Sequence, residues 1–139
     1  MPILISNKMG IIAGVNVLLI DAPLEAVDAI ELPQVKIATT YSDQVFDHIL
    51  FFVKSQVVMD QRFPHLMQRM AADGKLWVTW PKGGRLGTDL TIKEVIRIGY
   101  SHGLVESTNL RIDDTWTSLK FTHPIPGKTY HNSYGKLSP

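Results

Sequence analysis

The sequence predicts a three-layer α/β domain, a mostly parallel sheet covered by helices on both faces and closed by a C-terminal antiparallel hairpin. Three observations predict it. Short apolar runs alternate with segments of helical period, the order that builds a parallel sheet through right-handed crossovers. Two of the runs, Phe46-Asp47-His48-Ile49-Leu50-Phe51-Phe52-Val53 and Leu76-Trp77-Val78-Thr79-Trp80, are bulky on both alternating faces, as strands covered on two sides must be. The last two runs, residues 105–112 and 115–122, flank Asp113-Asp114 with no helical segment between them, which is the pattern of a hairpin.

In chain order, Val15-Asn16-Val17-Leu18-Leu19-Ile20 is the first strand, bounded by Gly14 and by Asp21-Ala22-Pro23. Pro23 suits a first helical turn, and Leu24, Val27 and Ile30 then share one apolar face, with Glu25, Asp28 and Glu31 toward solvent. Leu32-Pro33 ends that helix, and residues 35–40 alternate as a second strand near an edge. After the third strand, 46–53, the residues Met59, Phe63, Leu66, Met67 and Met70 recur at helical spacing. Pro64 removes a hydrogen bond there, so two helical pieces are expected, the second beginning at Pro64, with Asp73-Gly74 turning the chain into the strand 76–80.

The loop Pro81-Lys82-Gly83-Gly84-Arg85-Leu86-Gly87 leads to a helix whose start carries a capping-box signature, Thr91 with Glu94 three residues later. Its buried stripe is predicted as Ile92, Val95, Ile96 and Gly99, with Gly99 allowing close approach to the sheet and Gly103 ending the helix. Leu119 and Phe121 fall on one face of the last strand. Residues 1–123 read as one domain and 124–139, rich in proline, glycine and polar residues, as an irregular tail that orders only by packing on the body or on a second subunit.

At 139 residues, with 45% hydrophobic and 19% charged residues, the chain has the size and composition of one folded domain. No apolar run approaches the length of a bilayer span, so no membrane partner is expected. Fourteen Lys and Arg against thirteen Asp and Glu give a formal charge of +1, which supplies no field for a polyanion, so nucleic acid is not expected as a partner. There is no cysteine, which excludes disulfides and a thiol nucleophile and fits a reducing, cytoplasmic location. Asn16 interrupts the apolar stretch after Lys8, and no small-residue cleavage site follows, so a signal peptide is not expected.

The best candidate site is an anion or small-ligand site made by Lys82, Gly83, Gly84 and Arg85 beside the helix begun over Thr88 to Thr91, with Asp21 across the strand ends. Two cations, backbone donors and a helix dipole would converge there; a solvated crossover loop carrying basic residues is the other reading. Asp113 and Asp114 are a carboxylate pair or turn residues; Asp21 and Asp47 face a cleft or make caps and turns; Trp77, Trp80 and Trp116 stack a ligand or fill the core. His48, His65, His102, His123 and His131 show no metal-ligand spacing, and no serine sits in a nucleophile elbow.

Phe46-Asp47-His48-Ile49-Leu50 resembles the fourth strand of class I methyltransferases. Met70-Ala71-Ala72-Asp73-Gly74-Lys75-Leu76-Trp77-Val78 resembles their helix end, glycine turn and fifth strand, and the closing hairpin their sixth and seventh. More narrowly, Leu76-Trp77-Val78-Thr79-Trp80-Pro81-Lys82, Thr88-Asp89-Leu90-Thr91, Gly103-Leu104-Val105 and Asp113-Asp114-Thr115-Trp116 resemble a small bacterial family known as a domain of unknown function. The resemblance implies a Rossmann-like, methyltransferase-like fold with one strand-helix unit missing between Thr40 and Phe46. Methyltransferases follow the first strand with a glycine-rich turn and end the second with an acid for the ribose hydroxyls; here those places read Ile20-Asp21-Ala22-Pro23-Leu24-Glu25 and Thr39-Thr40-Tyr41. The expectation is therefore a binding or regulatory module on a degenerate methyltransferase-like fold, without cofactor or catalytic residues, whose partner is a small anionic ligand, a protein or a second copy of the chain. The alternative is an S-adenosylmethionine-dependent methyltransferase, or other small-molecule enzyme, with an atypical cofactor site. The two differ in whether an open, cofactor-sized cleft lies beside Asp21 and residues 81–85.

Overall fold

A computed structural model describes residues 3–137, so the first two residues of the expected domain and the last two of the expected tail lie outside the described residues. The chain runs α1 (Ile5–Met9), β1 (Asn16–Ile20), α2 (Leu24–Ile30), β2 (Lys36–Ala38), β3 (Phe46–Phe52), α3 (Gln56–Met67), β4 (Met70–Pro81), a tight loop (Lys82–Gly87), α4 (Ile92–Ser101), β5 (Val105–Arg111) and β6 (Trp116–Thr122). The sheet has six strands in the order β2-β1-β3-β4-β6-β5. The first four are parallel; β6 pairs antiparallel with both β4 and β5, closing the sheet with the predicted hairpin.

Alternation along the strands divides the interior into two layers. Leu18, Ile20, Ile49, Phe51 and Val78 face the side covered by α3 and α4, where Phe63, Leu66, Val95 and Ile98 meet them. Val17, Leu19, Leu50, Phe52 and Trp77 face the other side, under Met9 of α1 and Ala26 and Ile30 of α2. Strands buried on both faces account for the continuous apolar runs of β3 and β4. The crossover from β2 to β3 contains no helix, in agreement with a missing strand-helix unit. Because β2 has three residues, residues 39–45 suffice to return the chain, and Tyr41 packs on the α3 and α4 layer where a helix would otherwise lie.

Several expectations need correction. Pro64 does not divide α3: it sits one turn before the helix end, and the buried Met59, Phe63 and Leu66 hold both sides of it in one helix. Met70 to Ala72 are not a helix end but the start of β4, drawn into the sheet by pairing of Met70 with Phe46. Asp73-Gly74 consequently lies in a bulge inside β4, between the Phe46–Met70 and His48–Lys75 pairs, where a Cβ on Gly74 would come within 2.9 Å of the Phe46 carbonyl oxygen. Leu24 and Ile92, which spacing places in buried stripes, are 75% and 41% exposed, each being the first residue of its helix. The capping box is half made: Thr91 Oγ1 accepts from the Glu94 N–H, while the Glu94 carboxylate turns to Arg97.

Gly99 does what its position predicted. A Cβ there would collide with the ring of Phe121, so α4 touches the sheet through its missing side chain. Beyond β6 the chain is irregular, but Tyr130 and Leu137 pack against the core, Asn132 donates to Glu106 at 2.8 Å, and Gly135 lies against the Tyr100 ring. Tyr100 also donates to Glu106, at 3.1 Å; burial and the neighbouring carboxylate push its pKa up to about 12. The interior polar groups are paired: Thr79 with Ser118, Ser6 with the Glu31 carbonyl, and His48 Nδ1 with the Trp77 N–H at 3.3 Å.

Burial, reinforced by Lys75 and opposed in part by Asp47, pushes the His48 pKa down to about 4 from its ordinary 6.5. The unfolded chain therefore binds more protons than the native state between these values, and stability falls as pH drops from 6.5 to 4. The expected loss is on the order of 3 kcal/mol. Urea unfolding across that range will show it, and His48→Gln will flatten that share of the pH dependence. Gly99→Ala is expected to lower the unfolding free energy by about 1–3 kcal/mol, measured by the same titration at neutral pH, because Phe121 must leave its place.

Candidate functional site

β1 connects outward to β2 and β3 connects the other way to β4, so strand order reverses between β1 and β3. In an open α/β sheet such a reversal leaves a crevice beyond the carboxyl ends of the two strands, since the connections depart to opposite sides. A cleft of about 520 Å³ opens at that place. Asp21 and Pro23 line it from the end of β1, Phe52, Val53 and Lys54 from the end of β3, Ser55 and Val58 from the start of α3, Leu86 from the loop after β4, and Trp116 from β6. Its volume lies within the range of about 300–1,000 Å³ that small-molecule pockets occupy.

The walls are mixed. Phe52 and Trp116 meet edge to face with centroids 5.2 Å apart, both nearly buried, and form an apolar floor. Val58 and Leu86 add apolar surface that is 39% and 59% exposed, while Asp21, Glu25 and Lys54 bring charge to the rim. Asp21 has a left-handed backbone, φ 54°, and its carboxylate accepts from Arg62 at 2.9 Å, tying the end of β1 to α3. Arg62 in turn lies 5.5 Å from the centroid of Phe51.

The structure separates the residues that the sequence grouped. Lys82, Gly83 and Gly84 line a neighbouring hollow of about 470 Å³ with Thr91 and Ile92, at the N-terminus of α4. Asp21 lies in the cleft instead. Arg85 folds back onto its own loop and donates to the Lys82 carbonyl, at 3.3 Å. Thr88 is engaged in holding the loop down: its Oγ1 donates to the Lys54 carbonyl at 2.6 Å and accepts from the Leu90 N–H at 3.1 Å. Asp89 completes the brace by accepting from Gln56 N at 2.8 Å, so the N-terminus of α3 is met by a carboxylate of the chain itself.

The loop Lys82–Gly87 has left-handed φ at Gly83, Gly84, Leu86 and Gly87. Glycine adopts this region freely, whereas leucine there costs about 1–2 kcal/mol. Nothing in the neighbours of Leu86 marks it as a site residue; Phe52 and Val53 carry only the signal of a strand end, and Lys54 and Val58 carry none of their own. Trp116, read as stacking a ligand or filling the core, packs in the α1 and α2 layer and also lines the cleft.

Other candidates resolve into structural roles. Asp113 accepts from the N–H groups of Thr115 and Trp116 at 2.8 and 2.7 Å, a turn aspartate, and Asp114 pairs with Arg111. Asp47 accepts from Asn16 N at the opposite end of β3 from the cleft. Trp77 is core, and His102 bonds Asp60 at 2.8 Å while stacked on Phe63. Among the described residues no group of three potential metal ligands occurs, and no helix is long and apolar enough to cross a membrane.

No protein-family model matches the sequence, nor does any curated protein. Solved structures do share its architecture. An S-adenosylmethionine-dependent methyltransferase from Aquifex aeolicus superposes with a TM-score of 0.53 at 12% identity, over 83% of this chain and 85% of that one. Magnesium protoporphyrin IX methyltransferase from Synechocystis PCC 6803, solved with bound S-adenosylmethionine, superposes with a TM-score of 0.56 at 9% identity, over 86% and 74%. At such identities the likeness is one of fold, and the fold is the methyltransferase-like Rossmann arrangement with an antiparallel C-terminal hairpin.

Thr88→Val removes the bond that pins the loop to the β3–α3 junction. It is expected to lower stability by about 1–2 kcal/mol in urea unfolding.

Proposed function

We propose that the cleft between the ends of β1 and β3 is a small-molecule site, and that its ligand is S-adenosylmethionine or a close chemical relative. The chain would then be a methyltransferase or related small-molecule enzyme with an atypical cofactor site. The observation that carries this reading is an open cleft of ligand size at the reversal of strand order, on a fold shared with methyltransferases.

The cleft's chemistry suits such a ligand. Phe52, Val58, Leu86 and Trp116 offer an apolar wall to a ring; Lys54 suits a carboxylate; Glu25 suits a cationic group. That cofactor, when bound, supplies an activated methyl group. What the chain contributes is orientation and the exclusion of water from the floor made by Phe52 and Trp116. Side chains of Asp21, Ala22 and Pro23 stand where methyltransferases place glycines, so the contact with the cofactor would run through side chains more than through backbone. We also assign the chain to the small bacterial family of unknown function that its Leu76 to Lys82 and Asp113 to Trp116 motifs resemble.

A second reading, a binding or regulatory module without catalysis, is favoured by one observation: Asp21 is already engaged by Arg62 at 2.9 Å. Isothermal titration with S-adenosylmethionine and S-adenosylhomocysteine decides between them. Micromolar binding, weakened about tenfold by Lys54→Ala through loss of a charged contact, is the expected result. Weakening by Lys82→Ala instead would move the ligand to the hollow at α4. Silence at millimolar ligand, from protein shown folded by circular dichroism, would overturn the cofactor assignment and leave the second reading.

A further inference from the structure

We infer that the cleft admits an uncharged apolar ligand, a ring or a short hydrocarbon body, and that Leu86 is the residue that selects it. This rests on the reading of the cleft as a ligand site, and it is independent of which cofactor binds there.

Leu86 is the anomaly of its loop. Of the four left-handed positions between Lys82 and Gly87, three are glycine and one is leucine, with φ 55° and ψ 24°. A glycine would relax that position, so the leucine has to be offset by something its side chain does. Leu86 is 59% exposed, so packing within the chain does not supply the offset. The side chain instead lines the cleft, which it shares with the partly exposed Val58 and the Phe52–Trp116 floor. A ligand body lying among these four residues would bury apolar surface that otherwise faces water.

The loop presents Leu86 in a fixed place. Lys82 N donates to the Thr115 carbonyl at 2.8 Å at one end, and Thr88 and Asp89 anchor the other end to Lys54 and Gln56. A braced loop with an exposed leucine at its turn is preorganised for contact. The rim carries both signs, with Asp21 paired to Arg62 and Glu25 opposed in sign to Lys54, so the apolar wall and not the rim sets what Leu86 recognises. The class recognised is therefore uncharged and apolar, either a substrate moiety beside the cofactor or a whole small molecule.

The test uses the full chain and the uncharged fluorophore N-phenylnaphthylamine as probe. Wild type should bind it saturably at one site. Leu86→Gly should bind about tenfold more weakly, while its melting temperature stays level or rises because glycine accepts the left-handed backbone. Val58→Ser should weaken the probe as well, and Ile12→Ser, an exposed apolar position away from the cleft, should leave it unchanged. Leu86→Gly binding as tightly as wild type, or no saturable binding at all, would overturn the inference. Titrating S-adenosylmethionine into the same proteins separates the two claims. Probe binding that depends on Leu86 with no cofactor binding sustains this inference alone, and cofactor binding with a probe indifferent to Leu86 sustains only the other.

Discussion

The reversal of strand order between β1 and β3 decides where everything else in this protein can go. Right-handed crossovers running in opposite directions from adjacent strands put α2 on one face and α3 on the other. Both strands must then be apolar on both sides, and Val17, Leu18, Ile49, Leu50 and Phe51 are fully buried in consequence. The connections that follow the two strands leave their carboxyl ends toward opposite sides. The cleft is thus a product of topology before any side chain lines it.

What closes around the cleft is built by long-range polar contacts. Thr88 and Asp89 reach back to Lys54 and Gln56, and Arg62 reaches across to Asp21. Exposed ion pairs of this kind contribute little stability, about 0–1 kcal/mol, so the Arg62–Asp21 pair matters more for where it fixes Asp21 than for energy. The backbone near the cleft carries two non-glycine residues with left-handed φ, Asp21 and Leu86. Strain of this sort persists where the surroundings over-determine the conformation, and it gathers at places that hold ligands.

The fold departs from the fuller methyltransferase pattern where the chain is shortest. With β2 reduced to Lys36–Ala38, a loop replaces a strand-helix unit and Tyr41 covers the gap. The edge beside β1 is correspondingly thin, and Asp21-Ala22-Pro23 stands in the place of a glycine turn. The crevice at the strand reversal is retained all the same.

Much of this could be read from residue order alone. Alternation and period located every strand and the three longer helices, the two-faced apolar runs identified the central strands, and Gly99 announced a close helix-to-sheet contact that Phe121 makes real. These are local signals, set by side-chain direction within a few residues. Pro64 and Met70–Ala72 misled for the same reason: their local preference was overridden by packing of Phe63 and Leu66 and by pairing of Met70 with Phe46. The site was legible only in part. Lys82, Gly83 and Gly84 do gather at the N-terminus of α4, but Asp21 belongs to a different cavity, and Lys54, Val58 and Leu86 carry no local mark of their place there. The sequence by itself determined the layers and the mostly parallel sheet with its closing hairpin, because hydrophobic period and turn chemistry act between near neighbours. Only the tertiary structure decided which residues share the cleft, because that depends on where strands distant in the chain end relative to one another.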